Sequence, residues 1–223
     1  MTDAPVKLRD AATIVLSRRD SDGTPRVLMG QRGKGAVFMP NKFVFPGGAV
    51  DAGDANVPLD GEVDSRSRDR LHRHADATLV RALQVAAVRE LWEETGMMLG
   101  VPGRWSGTVP ADWAAFADMG KVPSAAGLSF LYRAVTPHGQ KRRFDARFFW
   151  ADEAALQGNE DFRDAPGELS ALSWVSLTEA RALDLPMITH RVLLELEARM
   201  TDPDPARKVP FFDGEVRAFS EID

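Results

Sequence analysis

Residues 89–97 read Arg-Glu-Leu-Trp-Glu-Glu-Thr-Gly-Met, a run in which three glutamates stand at helical spacing. On a helix, Glu93 and Glu94 follow Glu90 at i+3 and i+4, so all three carboxylates project from one face. Carboxylates this close repel one another and raise each other's pKa unless a cation neutralises them. Magnesium prefers oxygen ligands and commonly bridges to substrate phosphates. Since the pattern alone is more typical of a solvated helix face, its interpretation as a cation site depends on the flanking residues.

The helix that carries these glutamates is predicted over about residues 76–95. Its apolar positions recur at helical spacing. They are Leu79, Leu83, Ala86, Ala87 and Leu91. Gly96 is well placed to end the helix, because glycine readily adopts the left-handed conformation found just after a helix C-terminus.

Upstream, residues 45–48 form the turn Phe-Pro-Gly-Gly, which stops a short predicted strand at 43–45. Because glycine has no Cβ, the backbone at Gly47 and Gly48 can approach a ligand or a metal closely. The turn and the glutamates together therefore favour a site where backbone and carboxylate groups meet.

These two segments resemble the Nudix box, which reads Gly, five residues, Glu, seven residues, then Arg-Glu-apolar-any-Glu-Glu-any-Gly-apolar. Residues 89–97 match its second half at every position, and we call them the second half-box. Gly48, five residues and Asp54 match the first half and form the first half-box. The chain departs from the pattern in two ways: Asp54 replaces Glu, and 34 residues separate Asp54 from Arg89.

A box interrupted at this point resembles one branch of the family, which includes coenzyme A and acyl-coenzyme A diphosphatases. The phrases at 38–40, leading into 45–48, and at 143–149 also resemble that branch, and the likeness runs over roughly residues 10 to 200. It implies attack of a metal-activated water on a diphosphate phosphorus, with coenzyme A or an acyl-coenzyme A as the leading substrate. ADP-ribose, dinucleotides, a nucleoside triphosphate, or a non-catalytic ligand-sensing module remain the alternatives.

The resemblance also assigns roles. It implies that Glu93 and Glu94 are the main ligands of Mg²⁺ or Mn²⁺, and that Glu90 is a further ligand or orients the nucleophilic water. The backbone of Gly48 would approach the metal, and Arg89 would hold a glutamate of the box by a salt bridge. Asp54 is expected to supply a structural contact rather than a ligand.

Glu168 stands six residues before Trp174, a spacing at which some Nudix enzymes place a late metal ligand or base. An ordinary loop glutamate is an equal alternative for this residue. Arg32, Arg143 and Arg147 are candidate phosphate-binding residues, but each taken singly is better explained by a salt bridge to one of the chain's many acids.

The resemblance implies an α/β fold, an α/β/α sandwich with a mixed, curved β-sheet and additional helices, as one domain over residues 1–223. Strands are predicted at 12–16 and 26–30, joined as a hairpin, and at 147–151 and 172–175. Helices are predicted at 177–183, capped by Ser176 with Glu179, and at about 186–200. An insertion at about 55–75 is expected to be a solvated loop or short exposed helix. A helical addition is expected at about 108–136, although 128–135 fits either helix or strand.

Composition narrows the class of protein. The chain has 223 residues, a net charge of −5 and no cysteine, which excludes disulfides, zinc–thiolate sites and a cysteine nucleophile. The acidic balance disfavours nucleic acid as a partner, whereas a small anionic diphosphate substrate remains compatible with a bound metal. Residues 1–10 lack an apolar signal core and no apolar run approaches about 20 residues. We expect a cytoplasmic protein with no membrane partner, and both a monomer and a homodimer are compatible with the sequence.

Overall fold

The computed structural model describes residues 6–36, 39–156, 169–215 and 219–223. Within these ranges the strands are β1 (Leu8–Arg19), β2 (Pro25–Arg32), β3 (Phe43–Val44), β4 (Gly47–Ala49), β5 (Gly100–Pro102), β6 (Lys121–Pro123), β7 (Ser129–Val135), β8 (Arg143–Asp152), β9 (Leu169–Ser176), β10 (Val209–Phe212) and β11 (Phe219–Ile222). The helices are α1 (Ser65–His72), α2 (Ala77–Thr95), α3 (Ala114–Asp118), α4 (Leu177–Ala182) and α5 (Met187–Thr201).

A mixed sheet lies at the centre, in the order β11-β10-β7-β8-β1-β2-β3, with β4 paired to β1 and β9 paired to β2. Along one edge, β1 pairs in parallel with β8, from Leu8 to Ser17 of β1. The other edge is shared, because β4 pairs with residues 11–13 and β2 with residues 17–19. This division of the β1 edge brings the Gly47–Gly48 turn to the middle of the sheet.

Both faces of the sheet are covered, as an α/β/α sandwich requires. Side chains alternate along β1, so Ile14 and Leu16 join the core cluster that contains α2, whereas Val15 joins the cluster that contains α5. The apolar runs at residues 11–16 of β1 and 148–151 of β8 follow from burial on both sides.

The predicted glutamate-bearing helix corresponds to α2. The side chain of Asp76 caps its first turn by accepting from the Leu79 amide, and Gly96 ends it with φ of 73°. The predicted hairpin is formed by β1 and β2. Ser176 and Glu179 form the predicted capping box at the start of α4.

The expectation of a fully solvated insertion at about 55–75 is wrong for part of that segment. Val57, Val63 and Leu71 are buried in the cluster that contains α2. The Ser67 hydroxyl, on α1, accepts a hydrogen bond from the Phe130 amide of β7 at 2.8 Å. The insertion is therefore fastened to the sheet, while its remaining charged residues face solvent.

The helical addition expected at about 108–136 is shorter than the sequence suggested, since helical structure ends at Asp118. Residues 129–135 instead form β7, paired with β8. Six of these seven residues are buried, so their apolar side chains fit both the helical and the strand periodicity. Pairing with β8 is what makes the segment a strand. Strands β10 and β11, beyond the predicted last helix, were not anticipated. None of the helices in the described ranges is both long and apolar enough to cross a membrane.

Candidate active site

The Gly47–Gly48 turn contacts the glutamates of α2 directly. The Gly47 amide donates to Glu94 Oε2 at 2.8 Å. A Cβ added at Gly48 would lie 2.6 Å from Cδ of Glu90, so only glycine fits against this carboxylate. The two half-boxes thus meet in space although the insertion separates them in sequence.

Arg89 lies at the centre of the carboxylates, with only 5% of its surface exposed. Its Nη1 donates to Glu90 Oε1 at 2.8 Å and to Glu93 Oε2 at 3.0 Å. Its Nη2 donates to the Ala49 carbonyl at 3.0 Å, which ties the guanidinium to β4, the short strand that Gly47 and Gly48 begin. One arginine therefore fixes two glutamates and the turn in a single arrangement.

Asp54 completes the set of partners around Arg89. Arg89 Nε donates to Asp54 Oδ1 at 3.0 Å and Nη2 donates to Oδ2 at 3.1 Å, a two-bond contact between planar groups. The Asp51 amide also donates to Oδ2, at 2.8 Å. Since Asp54 is buried and both its oxygens are engaged, its geometry is that of a structural contact, and the shorter side chain still reaches Arg89.

The electrostatics of the cluster reflect burial and crowding. Burial raises the pKa of Glu90 to about 7, although the Arg89 guanidinium beside it acts in the opposite direction. Burial also raises the pKa of Glu93, again against the influence of Arg89. For Arg89 burial opposes the charge, but Asp54, Glu90 and Glu93 outweigh it and the pKa lies above its ordinary value.

Two acids near the site were not anticipated from the sequence. Asp51 Oδ2 lies 3.6 Å from Arg89 Nη2. Asp112, which precedes α3, lies close enough that its charge contributes to the raised pKa of Glu93. Asp51 stands three residues before Asp54 and was open to inference from that spacing. No sequence pattern connects Asp112 with Glu93.

The candidate phosphate-binding arginines lie in three different settings. Arg32 approaches the turn, with Nη2 3.5 Å from the Gly47 carbonyl. Arg143 donates from Nε to the Thr136 carbonyl at 3.0 Å. Arg147 is buried and paired with two acids, Asp10 and Asp145, which makes a salt bridge the better explanation of this residue. Glu168 lies outside the described residues.

A cavity of about 330 Å³ opens beside the turn, on the face of the sheet that α5 covers. Its lining includes Gly47, Gly48 and Arg32, together with several aromatic and aliphatic side chains. Phe144, Ala146 and Phe148 point into it from β8, so the alternate residues Arg143 and Arg147 face away. No sequence pattern predicted this cavity, because its walls come from segments far apart in the chain.

Carboxylate oxygens are the donors that Mg²⁺ and Mn²⁺ prefer, so Glu90, Glu93 and Glu94 suit such an ion chemically. In the described part of the chain, no group of three or more acidic or histidine side chains is already arranged around a common point. Arg89 draws one oxygen of Glu90 and of Glu93 towards itself, while the Gly47 amide holds Glu94. The donor set fits, since three glutamates cluster around the single guanidinium of Arg89 and beside the Gly47 amide.

No protein-family model matches the chain. Among curated proteins, it is 30% identical over 186 residues to nudix hydrolase 7 of Caenorhabditis elegans, covering 77% of this chain and 52% of that protein. It is 25% identical to acyl-coenzyme A diphosphatase NUDT19 of Xenopus laevis, covering 77% of this chain and 63% of that protein. The chain thus spans about half to two thirds of the length of these relatives.

Among solved structures, a Nudix hydrolase from Alicyclobacillus acidocaldarius has a TM-score of 0.68 and 27% identity, covering 89% of this chain and 97% of that one. This likeness extends over most of the chain. It agrees with the contact between the two half-boxes, which places the glutamates of α2 against the glycine turn. The chain belongs to the Nudix hydrolase superfamily.

Proposed function

We propose that this chain is a metal-dependent hydrolase that cleaves the diphosphate linkage of coenzyme A or an acyl-coenzyme A. The observation that carries the proposal is the contact of Gly47 and Gly48 with Glu94 and Glu90. It brings backbone groups, three carboxylates and the buried Arg89 into one cluster beside a cavity. That combination suits a diphosphate, whose negative charge needs a cation at the cleavage point.

Glu93 and Glu94 are the proposed main ligands of Mg²⁺ or Mn²⁺, with Glu90 and the backbone of Gly48 as further contacts. Nudix hydrolases generally use divalent metal ions. When bound, such an ion would neutralise charge on the diphosphate and make a water molecule more acidic. The two ions are alternatives that the carboxylate donor set does not distinguish.

The other residues position these groups. Arg89 keeps Glu90 and Glu93 in fixed orientations through its hydrogen bonds, and Asp54 holds Arg89 in turn. Glu90, whose pKa lies near 7, is the residue that we assign to orienting the attacking water. Arg32 lies at the Gly47 carbonyl, where it would contact a diphosphate oxygen.

The choice of coenzyme A as substrate rests on similarity to known proteins rather than on contacts between this chain and a ligand. The interrupted box resembles that of coenzyme A diphosphatases, and one curated relative is named as an acyl-coenzyme A diphosphatase. Hydrolysis at the diphosphate of coenzyme A would give 3′,5′-bisphosphoadenosine and 4′-phosphopantetheine.

The test incubates the protein with coenzyme A, an acyl-coenzyme A, ADP-ribose and a nucleoside triphosphate, each with Mg²⁺ or Mn²⁺, and identifies products by mass. We expect release of 4′-phosphopantetheine or its acyl form at the highest kcat/KM. Cleavage of ADP-ribose with both coenzyme A substrates intact would reject the substrate and keep the reaction. Tight binding of one compound without cleavage of any would indicate a ligand-sensing module instead.

A further inference from the structure

The cavity beside the Gly47–Gly48 turn is elongated across the strands of the sheet. Its floor is formed by five adjacent strands in the order β4, β1, β8, β7 and β10, and the rest of its lining comes from β2, β3, neighbouring loops and the start of α5. Neighbouring strands are about 4.8 Å apart, so these four steps span roughly 19 Å. The glycine turn lies at the β4 end and Phe212 at the β10 end. A ligand cleaved at the turn would therefore extend one of its arms across the sheet.

The volume of the cavity limits the size of the ligand that it can hold. About 330 Å³ lies near the lower end of the range of roughly 300–1,000 Å³ found for pockets that hold a whole drug-sized ligand. A coenzyme A molecule is larger than such ligands, so only one of its halves fits. Since this small volume is spread across five strands, the space is narrow and suits an extended chain better than a flat base with its ribose.

The charge of the cavity lining indicates which half of coenzyme A enters, the pantetheine half or the bisphosphoadenosine half. Among the described residues that line the cavity, Arg32 is the charged one, and it lies at the Gly47 end. Away from the turn the walls are largely apolar, with Phe144, Phe148 and Phe212 among them. A 3′-phosphate carried into that end would lie among aromatic and aliphatic side chains, which is strongly unfavourable for a charged group.

We propose that the cavity binds the uncharged arm of the substrate, the pantetheine chain and its acyl group, and that the bisphosphoadenosine half stays outside. This inference rests on the proposed function, because it takes the diphosphate to lie at the glycine turn. It makes acyl-coenzyme A a better substrate than free coenzyme A, since each methylene that enters removes apolar surface from water.

Binding without turnover tests the inference independently of hydrolysis. With EDTA present, calorimetry would measure the Kd of coenzyme A and of acyl-coenzyme A thioesters of increasing chain length. We expect each added methylene to tighten binding by up to roughly fourfold until the cavity is filled. Affinity that is independent of acyl length would overturn the proposal, even if the wild-type protein cleaves coenzyme A with Mg²⁺. Absence of any cleavage would count against the proposed function alone.

A cavity-filling variant identifies the half that enters. Ala146 lies between Phe144 and Phe148 on the same face of β8, so Ala146→Leu should obstruct the floor of the cavity. We expect it to weaken binding of acyl-4′-phosphopantetheine at least tenfold and to leave binding of 3′,5′-bisphosphoadenosine unchanged. The reverse pattern would place the adenosine half inside. Ala115→Leu, on the exposed side of α3, is the matched control, and a thermal melt verifies that both variants fold.

Discussion

Arg89 and Asp54 form a two-bond ion pair, at 3.0 and 3.1 Å, although 34 residues separate them in the sequence. Both partners are nearly inaccessible to water, with 5% and 3% of their surfaces exposed. The pair closes the insertion at its base, because Asp54 precedes the inserted residues and Arg89 follows them. The arginine that orders the carboxylates is thus itself held by the first half-box.

Removing the carboxylate of Asp54 should destabilise the fold. Asp54→Asn leaves Arg89 buried without its principal partner, and breaking a buried pair typically costs about 3–5 kcal/mol. Because Glu90 and Glu93 still face Arg89, we expect the lower end, about 3 kcal/mol, which in a chain of this length lowers Tm by roughly 6–12 °C. Thermal melts measure this, with the exposed Asp60→Asn as control. Equal Tm values for the two variants would contradict a structural role for Asp54.

Metal-free stability should depend on pH through Glu90. The folded-state pKa of about 7 lies above the ordinary value of 4.5, so the folded protein retains a proton that the unfolded chain releases. The stabilising contribution is complete below about pH 4.5 and is lost as pH rises towards and through 7. In EDTA we expect Tm to fall over this window, and Glu90→Gln to flatten the decline. An undiminished slope in the variant would assign the effect to another group.

Gly48→Ala should reduce activity by displacing Glu90. The added Cβ would lie 2.6 Å from the carboxylate carbon, so the side chain of Glu90 has to move. A displacement of about 1 Å in a catalytic site can cost roughly 100-fold in rate, and we expect a loss of that order in kcat. Gly53→Ala is the control, because a Cβ there meets no atom within 4 Å. Equal turnover by the two variants would show that the Gly48–Glu90 contact is not needed.

Glu94→Gln tests the proposed metal ligand while preserving the size of the side chain. Loss of one anionic donor should lower activity by about 100-fold or more, since a catalytic metal contributes several kcal/mol to the transition state. Mn²⁺ binding, followed by electron paramagnetic resonance, should weaken in parallel. Glu62→Gln, which changes an exposed glutamate paired with Arg68, is the control. Wild-type turnover and Mn²⁺ affinity in Glu94→Gln would rule out the assigned role.

Sequence reasoning succeeded where the determining interactions are local. The extent of α2 follows from the spacing of its apolar residues, from Asp76 at its start and from Gly96 at its end. The meeting of Gly48 with Glu90 was accessible through the motif, because a known pattern carries three-dimensional information that spacing alone lacks. The structural role expected of Asp54 came from the same motif and stays a prediction, which Asp54→Asn tests.

It failed where distant segments decide the outcome. β7 is buried on both faces, so no periodicity marks it as a strand until it pairs with β8. Asp112 approaches Glu93 because Trp113 and Phe116 stack edge-to-face and Phe116 does the same with Trp92 on α2. The cavity is assembled from seven strands and the start of α5, and whether Arg147 points into it depends on which face of β8 is turned towards α5.

The insertion also affects how the sheet meets other chains. Among the described strands, β10 pairs with β7 only at Arg133 and Ala134, and none of them pairs with the same edge of β7 before Arg133. At Phe130 the amide is taken by Ser67 of α1 and the carbonyl by Arg199 of α5. Unpaired strand edges invite edge-to-edge association and aggregation. By occupying this edge, α1 blocks it from pairing with a strand of another molecule. We therefore expect that deleting the insertion would reduce solubility before it disrupted the carboxylate cluster.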